Sequence, residues 1–133
     1  MTQTIRAETI GRHSWLLVGD SRYPAEVFSE DIQLDSHCHR TRRARVKPES
    51  GWVVSVIWGS GTYSDNQDDL VTGEFSEEPC HVEVAVPWDG PWEPLSLVGA
   101  EVLNAILVQM ATWPSQMAPP LWAQTGCYDR DPS

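Results

Sequence analysis

The sequence predicts an α+β domain: an antiparallel sheet of four to six strands with one long helix, in the C-terminal half, packed on one face. Two observations predict it. Short apolar or alternating runs, punctuated by turn residues, fill the chain up to about residue 92. A single stretch, 95–113, then repeats its apolar residues at the helical period.

That stretch, LSLVGAEVLNAILVQMATW, places Leu95, Val98, Val102, Leu103, Ile106, Met110 and Trp113 on one wide face. Opposite lie Leu97, Glu101, Asn104, Val108 and Thr112, a strip with one charge where a surface helix would carry several. The strip is therefore expected to be covered by a terminal segment or to form a dimer or partner interface. Ser96 reads as the N-cap with Leu95 as a staple residue, although Gly99 denies it a capping box. Pro114 supplies the stop. A membrane span needs roughly 20 mostly apolar residues. Ser96, Glu101, Asn104, Gln109 and Thr112 interrupt this one, so a soluble helix is expected.

Upstream, residues 1–13 are weakly patterned and the run 14–18 (SWLLV) predicts a buried strand ended by Gly19-Asp20-Ser21. Segments 25–28 and 31–35 read as two short extended pieces, the second with Ile32 and Leu34 alternating with charge. A polar island, 37–47 (HCHRTRRARVK), separates them from a turn at 48–51. Residues 52–58 (WVVSVIW) are apolar on both faces and should lie centrally in the sheet. An acidic loop at 59–69 and a weaker strand at 70–76 follow. In 81–87 the alternation is clean, with Val82, Val84 and Val86 pointing inward. The segment 88–92 is a tight loop, and 114–122, with three prolines, should wrap as extended coil. Residues 1–123 thus form one domain, with 124–133 as a mobile tail.

At 133 residues, 41% hydrophobic and with seven tryptophans, the chain can bury a real core. Its formal charge of −10 disfavours generic attraction to nucleic acid or an anionic membrane. Three cysteines without a short spacing, and no apolar leader, point to a reduced cytoplasmic setting.

Catalytic motifs are absent from the sequence, and no enzyme activity is expected. There is no G-x-S-x-G; Ser60 lies in a loop, and Cys80 and His81, adjacent on a strand, point to opposite faces. The oxygens of Asp65, Asn66, Asp68 and Asp69 do not follow the offsets of a calcium loop. Pro79-Cys80-His81-Val82-Glu83 has Glu83 where a zinc deaminase would place its second cysteine, which rejects that resemblance. The remaining metal candidate is zinc on His37, His39 and His81, the first two spaced to share a strand face.

Charge is distributed unevenly. The island holds five of the nine basic residues, yet no aromatic is interleaved for base stacking. It is expected to pair with the chain's own carboxylates or to dock an acidic partner, and direct nucleic-acid contact is disfavoured. Acids cluster at 26–35, 65–69 and 74–83. Asp65, Asp68, Asp69, Glu74, Glu77, Glu78 and Glu83 are the expected partner-binding carboxylates, with Trp88 and Trp92 as aromatic anchors. The profile is that of a small acidic inhibitor, monomeric or homodimeric, that blocks a basic, nucleic-acid-handling protein. Anti-defence inhibitors such as anti-CRISPRs, and toxin-immunity proteins, are of this type. The alternatives are a virion-like assembly subunit self-associating through Leu97 and Val108, a zinc module at the three histidines, and an RNA binder using Arg42, Arg43 and Arg45.

Overall fold

The structure is a computed structural model that describes residues 3–34, 37–59, 62 and 77–128. Among the described residues, seven antiparallel strands follow one another in space as they do in sequence. They are β1 (Ile5–Ile10), β2 (His13–Val18), β3 (Ser21–Leu34), β4 (His37–Val46), β5 (Val54–Gly59), β6 (His81–Ala85) and β7 (Leu95–Gly99). Helix α1 (Ala100–Thr112) and the short α2 (Leu121–Thr125) are the helices among the described residues. The expected mix of sheet and helix holds, but the described residues form seven strands, not four to six, and the helix is shorter than its apolar stretch.

The additional strands are those with little apolar alternation. β1 buries only Ile5 outright. Two-residue turns at Gly11-Arg12 and Gly19-Asp20 join it to β2 and β2 to β3, each with its glycine at positive φ. The two extended pieces at 25–28 and 31–35 are one continuous strand, β3. Its pairing with β2 ends at Pro24, which has no N–H for the ladder. Beyond it, β3 pairs only with β4. The polar island is not a break between strands: it is β4, flanked by β3 and β5.

Residues 95–99 are strand, not the first turns of the helix. β7 carries an irregularity against β6, where Val82 pairs with Val98 but Val84 pairs with Leu95. The extra residue puts Leu95 and Val98 on the same buried face at a spacing of three, and it pushes Ser96 and Leu97 outward. Leu97 sits there at φ 51. The helix accordingly starts after Gly99, which has extended N-cap angles, so neither Ser96 nor Leu95 plays the expected capping role.

Ala100, Leu103, Ile106, Leu107 and Met110 drive α1 into the face formed by Ile5, Leu16, Val18, Val54, Val56, Trp58, Val82 and Val84. The sheet curls around the helix, and Ile5 N–H donates to the Pro79 carbonyl at 2.9 Å, bringing β1 to the chain just ahead of β6. Asn104, expected on the outer strip, is half-buried instead. Its amide donates to the Val18 carbonyl (3.2 Å) and its carbonyl accepts from the Tyr23 hydroxyl (2.6 Å). The C-terminal end of the helix is held from the β4–β5 turn by the Ser50 hydroxyl, which donates to the Met110 carbonyl (2.6 Å). Past Trp113 the proline-rich segment returns across the helix, and Trp122 Nε1 donates to Gln109 Oε1 (2.9 Å). Helix α2 runs through the boundary placed at residue 123, and Tyr128 packs edge-on against Trp122. No helix among the described residues is long and apolar enough to cross a membrane.

Candidate functional site

Strand alternation sorts the basic island. Register with β3 and β5 puts Arg42, Ala44 and Val46 on the covered face of the sheet, with Thr41, Arg43 and Arg45 on the open face. The two sets have different fates.

On the covered side Arg42 is clamped. Its guanidinium donates to Glu77 through Nε (3.1 Å) and Nη2 (2.7 Å), and to Asp31 through Nη1 (2.6 Å). The Arg42 side chain is only 11% exposed, while both carboxylates stay largely in water. Burial pulls the Arg42 pKa down, but the hydrogen bonds to Glu77 and Asp31 more than offset it and the net shift is upward. The same bond from Arg42 lowers Asp31 below its ordinary value. On the open side Lys47 pairs with Glu26 and lowers that carboxylate too.

These lowered carboxylates stabilise the folded state above their unfolded pKa values, ordinarily 4.5 for Glu26 and 3.8 for Asp31. That contribution disappears as the pH falls through the lower folded values. The denaturation midpoint of the wild type is therefore expected to drop below about pH 4.5, and Arg42→Met is expected to flatten that drop. Urea titrations between about pH 3 and 6 measure both slopes; identical slopes would sever Arg42 from the acid response.

The expected partner-binding carboxylates divide as follows. Asp65, Asp68, Asp69 and Glu74 lie outside the described residues. Glu77 is held by Arg42, and Glu78 by Arg6 at 3.5 Å. Glu83 is half-buried on the open face. Trp88 is folded back on its own loop, with Nε1 donating to the Pro91 carbonyl (2.6 Å) and the ring packed so closely on Gly90 that a Cβ there would meet it at 2.3 Å. It closes that loop and does not project as an anchor. Trp92 is 41% exposed and does project.

Of the zinc candidates, His37 and His39 are on β4 opposite Leu34 and Ile32, their side chains outside the described set. His81 is exposed at the start of β6. β5 lies between those two strands, so their backbones are about 10 Å apart, two inter-strand spacings. Among the described residues no three His, Cys, Asp or Glu side chains are grouped to hold a metal.

What sequence reasoning did not find is a trough on the open face. A concavity of about 650 Å³ has Val53, Ser55, Ile57 and Ala85 on its floor, Arg43, Arg45 and Lys47 on one wall and Trp92 with Pro87 and Pro94 on the other. A second hollow of about 360 Å³ continues it across Arg43 and Arg45 toward Phe28, Ser29 and Thr41. The signal was present as the odd-numbered arginines of 37–47, but it is legible only once that segment is known to be a strand. Compared with known proteins, the chain matches no family model, no curated protein and no solved structure.

Proposed function

We propose that this chain is a non-enzymatic binding protein that sterically blocks a basic, nucleic-acid-handling partner, as an anti-defence inhibitor such as an anti-CRISPR or a toxin-immunity protein does. The supporting observation is the charge left after internal pairing. Among the described residues, Arg6, Arg42 and Lys47 engage Glu8, Glu26, Asp31, Glu77 and Glu78. With 19 acidic against 9 basic residues, even complete pairing leaves acid in excess on a chain of formal charge −10. Asp20, Glu30, Glu49, Asp89 and Glu93 add exposed acid on other parts of the surface. Such a field speeds encounter with basic surfaces and repels acidic ones. Glu77 and Glu78 are pre-paired, which leaves the larger share of contact to Asp65, Asp68, Asp69 and Glu74.

Capture from a host lysate on the immobilised protein at low salt tests this reading. A basic protein is expected to be retained and then released by a salt gradient, because the Debye length shrinks from about 10 Å at 0.1 M to about 3 Å at 1 M. Retention of no basic protein, or retention indifferent to salt, would remove the proposal.

A second reading, self-assembly, is favoured by the exposed apolar side chains of Leu97 on β7 and Val108 on α1, 55% and 65% exposed. Sedimentation of the purified chain separates the two. A monomer or dimer fits the inhibitor; a ring or larger oligomer fits assembly.

A further inference from the structure

We propose that the open-face trough is a docking site for an extended acidic peptide segment of a partner, with Arg43 and Arg45 receiving two carboxylates and Trp92 packing an apolar side chain. This site does not rest on the acidic-surface reading above; it uses the opposite charge, on Arg43 and Arg45.

Four observations carry it. The first is the division of the island: Arg42 and Lys47 form close ion pairs with this chain's own acids, whereas Arg43 and Arg45 form no ion pair within 4 Å among the described residues, Arg45 acting on Glu26 only at longer range. They are also half-buried beside apolar floor residues, where an arriving carboxylate meets less competing water. The second is spacing. Arg43 and Arg45 are two residues apart on one strand, about 7 Å between Cα atoms, which is also the spacing of alternate residues in an extended peptide. The third is preorganisation. The Arg45 guanidinium lies 5.3 Å from the centre of the Phe28 ring, which holds its position before any ligand arrives. The fourth is length. Along β4 the trough runs beside Arg43, Arg45 and Lys47, with Val53, Ser55 and Ile57 alongside, about 14 Å of strand and the reach of about five extended residues lying parallel to β4.

The same observations disfavour a nucleic-acid strand. Glu30 and Glu83 line the two hollows beside the arginines, so the trough is not a continuous cationic track for phosphates. The Phe28 ring already carries Arg45 on a face that a base would need for stacking. A formal charge of −10 adds a penalty for every further phosphate along a polyanion, and a peptide with two carboxylates incurs far less of it.

The test is fluorescence anisotropy at low salt with a fluorescein-labelled heptapeptide alternating leucine and aspartate. Its leucine–asparagine and leucine–lysine counterparts and a labelled oligouridylate serve as comparison probes. The aspartate peptide is expected to bind saturably, at least tenfold tighter than the asparagine peptide. Arg43→Glu combined with Arg45→Glu should abolish that binding, and Trp92→Ala should weaken it several-fold. Arg22→Glu changes charge on the same face but outside the trough, and it should leave affinity within about twofold. Circular dichroism of each variant establishes that it is folded, and Arg43→Lys with Arg45→Lys keeps the charge should the double Glu variant fail to fold. Retention of part of the affinity there supports the site. No saturable binding of the aspartate peptide up to about 1 mM would overturn the proposal. So would equal loss in Arg22→Glu, tighter binding of the lysine peptide, or tighter binding of the oligouridylate.

Discussion

Gly59→Ala is expected to lower the thermal midpoint by roughly 10–20 °C, corresponding to about 3–5 kcal/mol from backbone strain plus overpacking. Gly59 closes β5 at φ 123, a region that side chains rarely adopt. A Cβ there would meet the Arg40 carbonyl oxygen at 2.2 Å and the Thr41 Cα at 2.8 Å. Both are backbone atoms of the neighbouring central strand, so neither can swing aside as a side-chain tip would. Relief requires β4 and β5 to separate where Thr41 pairs with Gly59, next to the clamp that Arg42 makes. The control is Gly11→Ala. Gly11 is also at positive φ (63), but its Cβ would have nothing within 4 Å. It should cost only about 1 kcal/mol, the conformational share alone. Paired melts by circular dichroism would show the difference, and equal losses in the two variants would refute the steric account.

Ile106→Ala is expected to destabilise by about 2–5 kcal/mol, the range for deleting a fully buried branched side chain and leaving a cavity. Ile106 is 0% exposed at the centre of the helix face, among Leu103, Leu107 and Met110. It shares the core with Val18, Val56 and Val82 of the sheet, themselves fully buried. Val108→Ala on the same helix removes one fewer carbon from a position 65% exposed and should change stability by no more than about 0.5 kcal/mol. Denaturant titration gives both values. If Val108→Ala proved as costly as Ile106→Ala, Val108 would have to be buried in solution, which would transfer support to the assembly reading.

The elements legible in the sequence were those whose own residues carry the period. β6 alternates Val82 and Val84 with exposed His81 and half-exposed Glu83, and β5 presents Val54, Val56 and Trp58 to the core with Ile57 on the other side. Both lie where the pattern put them. The helix from residue 100 onward was equally plain, but its supposed first turns were misread because a bulged strand also places apolar residues three apart. β4 was missed for a different reason. A buried-face position there is filled by Arg42, whose charge is tolerable only because Asp31 and Glu77 arrive from eleven and thirty-five residues away. β1 has too few apolar residues to announce itself, and it is a strand chiefly because β2 offers it a partner.

The candidate site follows the same division. The sequence alone determined the acid excess and the concentration of cations in 37–47, and it nominated Trp88 and Trp92 alike as contact candidates, of which folding leaves Trp92 the more exposed. Folding decided which cations are occupied. One strand register, set by contacts with β3 and β5, sends Arg42 under the sheet to its acids and leaves Arg43 and Arg45 above it facing Phe28 and the trough. An ion pair depends on atoms within a few ångströms, and the residues that supply them here are distant along the chain, so no local pattern of charges could reveal the assignment.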